Sequence, residues 1–246
     1  ATFVALKGAD TPLRLKKGAK IIWESKGDIP LIGDDSTPYW DRFVLIETPD
    51  EMTGNPLDGI NSGAEDAYIA RLRTAAVPAM GPGLFRFLYL TGLRRVPKDV
   101  ELHDDMYEGM ARPDIMPTKE RGDALLAGPP EDRPAMVNFL KYYDQARYDG
   151  GDSNRDGGTG AQAYNRYGMR AMESVYRVGG NLVFYGHVDQ VIQDANHAPT
   201  REMWDDIAVM QYPNRKAILT MEAWDRYRAS FFHRDAGVDQ TRLFSA

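Results

Sequence analysis

Apolar and polar positions along the 246 residues form short alternating runs and one long helical stripe. The stripe is Ala161–Val178. Tyr164, Gly168, Ala171, Val175 and Val178 recur there at steps of three and four, which predicts an amphipathic helix. It runs into Gly179-Gly180, a natural stop, because glycine takes the left-handed helix-ending conformation at least cost. Asn181–Asp189 then alternates as a strand does. Leu182, Phe184 and Val188 are expected on one face, under the helix, and Val183, Tyr185, His187 and Asp189 on the other.

The same reasoning places the remaining elements. Thr2–Lys7, Gly18–Lys26 and Trp40–Thr48 read as strands, the last ended by Pro49. Ala64–Ala76 reads as a helix from its spacing of Ala67, Leu72 and Ala76, and the apolar Leu84–Leu93 as a further strand. Between Pro97 and Pro134 the pattern lapses. Pro97, Pro113, Pro117, Pro129, Pro130 and Pro134 fall there, which suits an ordered linker with one short helix. Ala135–Tyr142 is a strand, Gly150–Gly160 a glycine-rich loop, Trp204–Tyr212 a strand ended by Pro213, Arg215–Phe232 a broken helix and Gln240–Phe244 a last strand. Residues 135–246 therefore read β-α-β-β-α-β.

An internal repeat underlies this order. Gly18–Asp28 aligns without a gap on Gly179–Asp189, Trp40-Asp41 on Trp204-Asp205, and Pro49 on Pro213. A further alignment sets Arg73–Val77 against Arg234–Val238. The first copy, within residues 1–96, has no helical stripe between Lys7 and Gly18. The predicted organisation is a degenerate unit over 1–96, a linker over 97–134 and a complete unit over 135–246.

Composition narrows the chemistry. Without cysteine there is no disulfide, thiolate nucleophile or thiolate-held metal. A net charge of −6 argues against a nucleic-acid partner. No apolar run approaches a membrane span of about 18 residues, and a cytoplasmic location is the default expectation. P-loop, G-x-G-x-x-G, G-x-S-x-G and H-E-x-x-H motifs are all missing, so no cofactor is expected.

The strand AMVNFLKY, the helix leading into GGNLVFYGHVD, and IAVMQYPNRKAILTMEAWDRY together resemble the dimeric α+β barrel superfamily. Within it the likeness is to the domain of unknown function 1330 family, over about Arg133–Phe244. The resemblance implies an α+β fold of two tandem ferredoxin-like (βαββαβ) units, the first degenerate, with two four-stranded sheets facing each other. It also implies a small-molecule pocket, and a homodimer is compatible with it. In such a barrel the strand faces turned away from the helices line a shared interior. Those faces are Val183, Tyr185, His187 and Asp189 in one copy, and Ile22, Glu24, Lys26 and Asp28 in the other.

His187 is the leading candidate for acid/base work, with Tyr185 and Asp189 as its partners; the alternative is a structural, hydrogen-bonded histidine. Arg234, next to His233, offers a planar fork for a carboxylate, or a helix-end salt bridge. Tyr142, Tyr143, Tyr164 and Tyr167 suit an organic ligand, or packing. Glu24 and Lys26 would face the same interior. Asp152, Asn154 and Asp156 imitate a calcium loop, but position twelve is Ala163, so no calcium is expected. His103, Asp104, Asp105 and Glu101 lack a second histidine at ligand spacing, and no metal is expected there either. Two readings follow. One is a cofactor-independent enzyme acting on a small aromatic or carboxylate-bearing substrate. The other is a non-catalytic binding or assembly protein. An open polar interior favours the first and a filled one the second.

Overall fold

The computed structural model describes residues 1–8, 12–33, 39–58, 63–75, 80–91, 112–148, 157–196 and 203–246. The chain is mixed α+β. Nine strands form one antiparallel sheet: β1 (Thr2–Lys7), β2 (Lys20–Lys26), β3 (Pro30–Ile32), β4 (Arg42–Glu47), β5 (Asp66–Thr74), β6 (Ala135–Tyr142), β7 (Asn181–Gln193), β8 (Asp206–Gln211) and β9 (Val238–Ser245). Their order across the sheet is β2-β4-β1-β5-β7-β8-β6-β9-β3.

The two edge strands of this order, β2 and β3, are consecutive in the chain. Gly27–Ile29 joins them and bonds in both directions: Gly27 N–H donates to Asp41 O (2.9 Å), Asp28 N–H to Ser245 O (2.9 Å), and Ser245 N–H to Ile29 O (2.8 Å). The sheet therefore closes on itself, which leaves no long unpaired edge.

Six α-helices and a 3-10 turn (Pro113–Ile115) complete the described residues: α1 (Met80–Leu90), α2 (Lys119–Leu126), α3 (Gly160–Arg177), α4 (Lys216–Glu222), α5 (Asp225–Arg228) and α6 (Phe231–Gly237). α3 begins at a reciprocal cap. Thr159 Oγ1 accepts from Gln162 N–H, and the Gln162 side chain accepts from Thr159 N–H. It ends at Gly179, whose φ of 81° is the left-handed conformation expected of a glycine stop. A Cβ on Gly160 would lie 2.5 Å from Gly237 O, and one on Gly237 would lie 2.5 Å from Gly160 O. This mutual close approach lets α3 and α6 touch backbone to backbone.

The inner face of the closed sheet is a dry aromatic core. Phe139 sits among Phe3, Tyr68, Trp204 and Phe244, with ring centroids 5.4–5.9 Å away. Phe43, Leu45, Ala70, Val137, Ile207 and Val209 fill the space around them. The expected wet interior is thus a filled one.

Several sequence expectations are corrected. Ala64–Ala76 is not a helix but contains β5. Tyr68, Ala70 and Leu72 point into the aromatic core and Ala67 and Ile69 into a second cluster, so both faces are apolar and the strand period is masked. Leu84–Leu93 is not a strand; its described part lies largely in α1, which packs Phe85 near Tyr176 of α3 at 6.5 Å. The short strand β3 was not anticipated. Residues 97–111, including Glu101, His103, Asp104 and Asp105, lie outside the described residues, as do Asp152, Asn154 and Asp156.

The repeat is visible in the ladders. β2–β4 pairs run from Lys20↔Glu47 to Lys26↔Arg42 with a bulge between Ile21 and Trp23. β7–β8 pairs run from Asn181↔Gln211 to His187↔Asp206 with a bulge between Leu182 and Phe184. The alignment of Gly18–Asp28 on Gly179–Asp189 maps one ladder on the other pair for pair. The match of Arg73 with Arg234 does not hold: Arg73 lies in β5 and Arg234 in α6.

Candidate functional site

The shared bulge decides which side chains meet. Val183 is the extra residue on β7, so side chains beyond it change face. Phe184 therefore turns into the aromatic core, whereas Leu182 and Tyr185 line the opposite face, under α3. Tyr185 and His187 were expected in the barrel interior; the bulge puts them on the helix-bearing side. In the first half it does the same: Trp23 packs inward, while Glu24 and Lys26 turn outward.

On the helix side, Asp206 is the hub. It opens β8 and is 2% exposed. Its Oδ2 accepts from the Tyr142 hydroxyl (2.7 Å) and the Tyr185 hydroxyl (2.5 Å), and its Oδ1 bonds His187 Nδ1 (2.5 Å). A carboxylate only accepts, so Nδ1 carries the proton and Nε2 of the neutral ring is left as the acceptor. The His187 side chain is 47% exposed. Burial is the main cause that raises the Tyr142 and Tyr185 phenols well above their ordinary range, and the Asp206 charge adds to it. Both therefore stay protonated and act as donors.

Beside this hub lies a cavity of about 410 Å³ between the sheet and α3–α6. Tyr185 belongs to its wall, and Tyr164 of α3 lies between Tyr142 and Tyr167, with ring centroids at 5.2 and 5.3 Å. Methionines 136, 169, 172, 210 and 221 supply much of the apolar lining, a flexible surface that adapts to a ligand's shape. The volume falls within the usual range for small-molecule sites, roughly 300–1,000 Å³.

Arg234, 8% exposed, also lines the cavity. Its Nε and Nη2 donate to Asp235 Oδ1 (3.2 and 2.9 Å) and Nη1 lies 2.6 Å from Met116 Sδ. Nearby, the Tyr167 and Tyr227 hydroxyls share a 2.5 Å hydrogen bond.

The structure thus brings Tyr142, Tyr164, Tyr185 and His187 together, with Arg234 in the wall of the adjoining cavity. It does not bring the other candidates to the hub. Asp189 is half-exposed and pairs with Arg73 at 3.5 Å. His233 Nδ1 bonds the Tyr148 hydroxyl (2.8 Å), which also accepts from Arg166 Nη1 (3.0 Å). Glu24 pairs with Arg42 on the outer face, and Lys26 is exposed. Asp206 itself was missed. Its one signal was the repeat, which sets it where the first copy has Arg42, the ion-pair partner of Glu24. Among the described residues no group of three or more His, Asp or Glu is placed to hold a metal ion, and no helix is long and apolar enough to cross a membrane.

No protein-family profile and no curated protein matches the chain. The solved structures similar to it include two of one protein. One is a methylated form of the RPA0582 protein. The other is the RPA0582 protein of unknown function from Rhodopseudomonas palustris, a structural genomics target. Each is 30% identical over 54% of this chain, with a TM-score of 0.46; the match covers 92% of the first and 94% of the second.

Proposed function

We propose that the protein binds a small, mainly apolar molecule in the cavity under α3, and that Tyr185, Asp206 and His187 carry a proton from that molecule to solvent. Tyr185 takes it while giving its own proton to Asp206 Oδ2. The acid passes that proton to His187 Nδ1 once the ring's own proton has moved to Nε2, which then releases one to water. One observation carries this reading. A fully buried carboxylate is bonded on one oxygen by a phenol of the cavity wall and on the other by an imidazole that reaches water. Asp206 orients the ring through Nδ1, while Nε2 exchanges protons with solvent. The fold reading that accompanies this is two tandem ferredoxin-like units closed as a dimeric α+β barrel within one chain, the first unit without the long helix between its first two strands. In its favour are the identical β2–β4 and β7–β8 ladders and the shared strand order. A further homodimer is not required by it.

A binding-only protein is the second reading. In its favour, the barrel interior is filled by the aromatic core, each hub group is already satisfied by another, and the phenols resist ionisation. One experiment separates the two. Naphthalene-based and phenyl-based ketones and acids are screened by thermal shift, and bound compounds are followed by NMR in D2O for exchange of acidic C–H protons. The relay predicts exchange that His187→Gln slows at least about tenfold while binding persists, since general acid–base groups contribute on the order of 10²–10⁴. Binding without exchange, or exchange indifferent to His187, selects the binding-only reading.

A further inference from the structure

The hub leaves one buried charge of the cavity unused, that of Arg234. A guanidinium has five N–H donors and no acceptor. Two of them share a single oxygen, Asp235 Oδ1, and Nη1 has only the Met116 thioether, a weak acceptor. The side chain is held rigidly: Phe231 lies under the guanidinium at 4.3 Å, and α6 abuts α3 through Gly237 and Gly160. A second donor points the same way. Asn138 Nδ2, on β6 in the same cavity wall, is buried and has no hydrogen-bond partner among the described residues. A buried donor without an acceptor is costly and one with only a weak acceptor is under-satisfied; Asn138 Nδ2 and Arg234 Nη1 are one of each, on residues that border one cavity.

We infer that the cavity's ligand is a small apolar monocarboxylate whose head group is received by Arg234, with Asn138 as a second donor. This rests on the cavity reading above and adds the substrate class to it. An acceptor-only anion suits an unpaired amide donor and a guanidinium edge that has only a thioether, whereas a cation or a neutral donor does not. The rest of the lining, Met136, Met210, Met221 and Leu243 among it, takes an aromatic or aliphatic body. Glu222 also borders the cavity and is itself engaged with other groups. The arrangement sets the carboxylate at the α6 end and the remainder of the molecule toward Tyr185.

The test compares 2-naphthoate with 2-naphthamide, which have the same body and differ in charge, by titration calorimetry on the full chain. The acid should bind the wild type about tenfold or more tightly than the amide, because charge-assisted hydrogen bonds are roughly twice as strong as neutral ones. Arg234→Met should bring the two affinities together while the amide's own affinity changes little. If Arg234→Met unfolds, the wild-type comparison still decides, and Asn138→Leu should weaken the acid more than the amide. Equal affinities in the wild type, or a preference that survives Arg234→Met, overturn this inference alone. Binding of neither compound overturns the cavity reading along with it.

Discussion

Asp206→Ala is the most searching perturbation of the hub. The carboxylate is buried and accepts two phenol donors and one imidazole donor. Without it, the Tyr142 and Tyr185 hydroxyls, already 3.5 Å apart, can bond each other and recover one interaction, and His187 can turn to water. One to two buried donors then stay unsatisfied, at about 1–3 kcal/mol each, so the expected cost is about 2–4 kcal/mol. For a chain of this size that corresponds to a fall in Tm of about 5–15 °C. Urea unfolding followed by tryptophan fluorescence reads it directly. The control is the Tyr142→Phe/Tyr185→Phe background, in which the orphaned donors are gone and the same substitution should cost less than half as much. A single substitution within about 0.5 kcal/mol of the wild type would show the phenols to be solvated. An unchanged cost in the double-phenylalanine background would place the destabilisation elsewhere. Either result refutes the hub as drawn.

Two further expectations concern the whole fold. Phe139→Ala, at the centre of the aromatic core, should cost about 3–5 kcal/mol in the same unfolding assay, and a loss under about 1 kcal/mol would show a loosely packed interior. Alkaline pH should destabilise the protein. Burial raises the phenols of Tyr142, Tyr164, Tyr185, Tyr212 and Tyr227, so between the ordinary value and the raised one the folded chain holds more protons than the unfolded chain. Stability from this source is complete below about pH 10 and falls as pH rises beyond it, and urea midpoints that stay level from about pH 9 to pH 11 would contradict it.

Much of this molecule is legible in its sequence where one physical signal dominates. α3 is announced by its stripe and its glycine stop, and the order of elements over 135–246 follows from strand runs ended by proline. Where two signals compete, the sequence misleads. β5 is apolar on both faces, so its alternation disappears and the spacing of its alanines imitates a helix. α1 has an apolar exposed side at Leu84, Phe87 and Leu90, and such a run is indistinguishable from a buried strand until its packing is known. The bulge at Val183 is the most consequential miss. A single inserted residue reverses the faces of Phe184, Tyr185 and His187, and nothing in GGNLVFYGHVD marks it. The candidates Tyr185 and His187 were reached through residue chemistry, and the face assigned to them was wrong. Asp206 was passed over because Trp204–Tyr212 was read only as a strand, and nothing in WDDIAVMQY marks which of its two acids is buried.

The repeat also explains why the candidate site lies in one half only. Lys26↔Arg42 and His187↔Asp206 are equivalent pairs in equivalent ladders, and Glu24 takes the place of Tyr185. In the first half no described helix covers this face. Glu24 and Arg42 form an ion pair at the surface, with Glu24 38% exposed, a kind of contact usually worth no more than about 1 kcal/mol. In the second half α3–α6 cover the corresponding face and exclude water from Asp206. The same strand geometry then demands a complete set of donors, which Tyr142, Tyr185 and His187 supply. The helices that desolvate the carboxylate also enclose the cavity beside it. Loop residues Leu13, Leu15 and Leu57 cover the neighbouring strands of the first half but leave the Glu24–Arg42 pair at the surface, whereas helices over the matching ladder of the second half go with a buried acid and a cavity at its side.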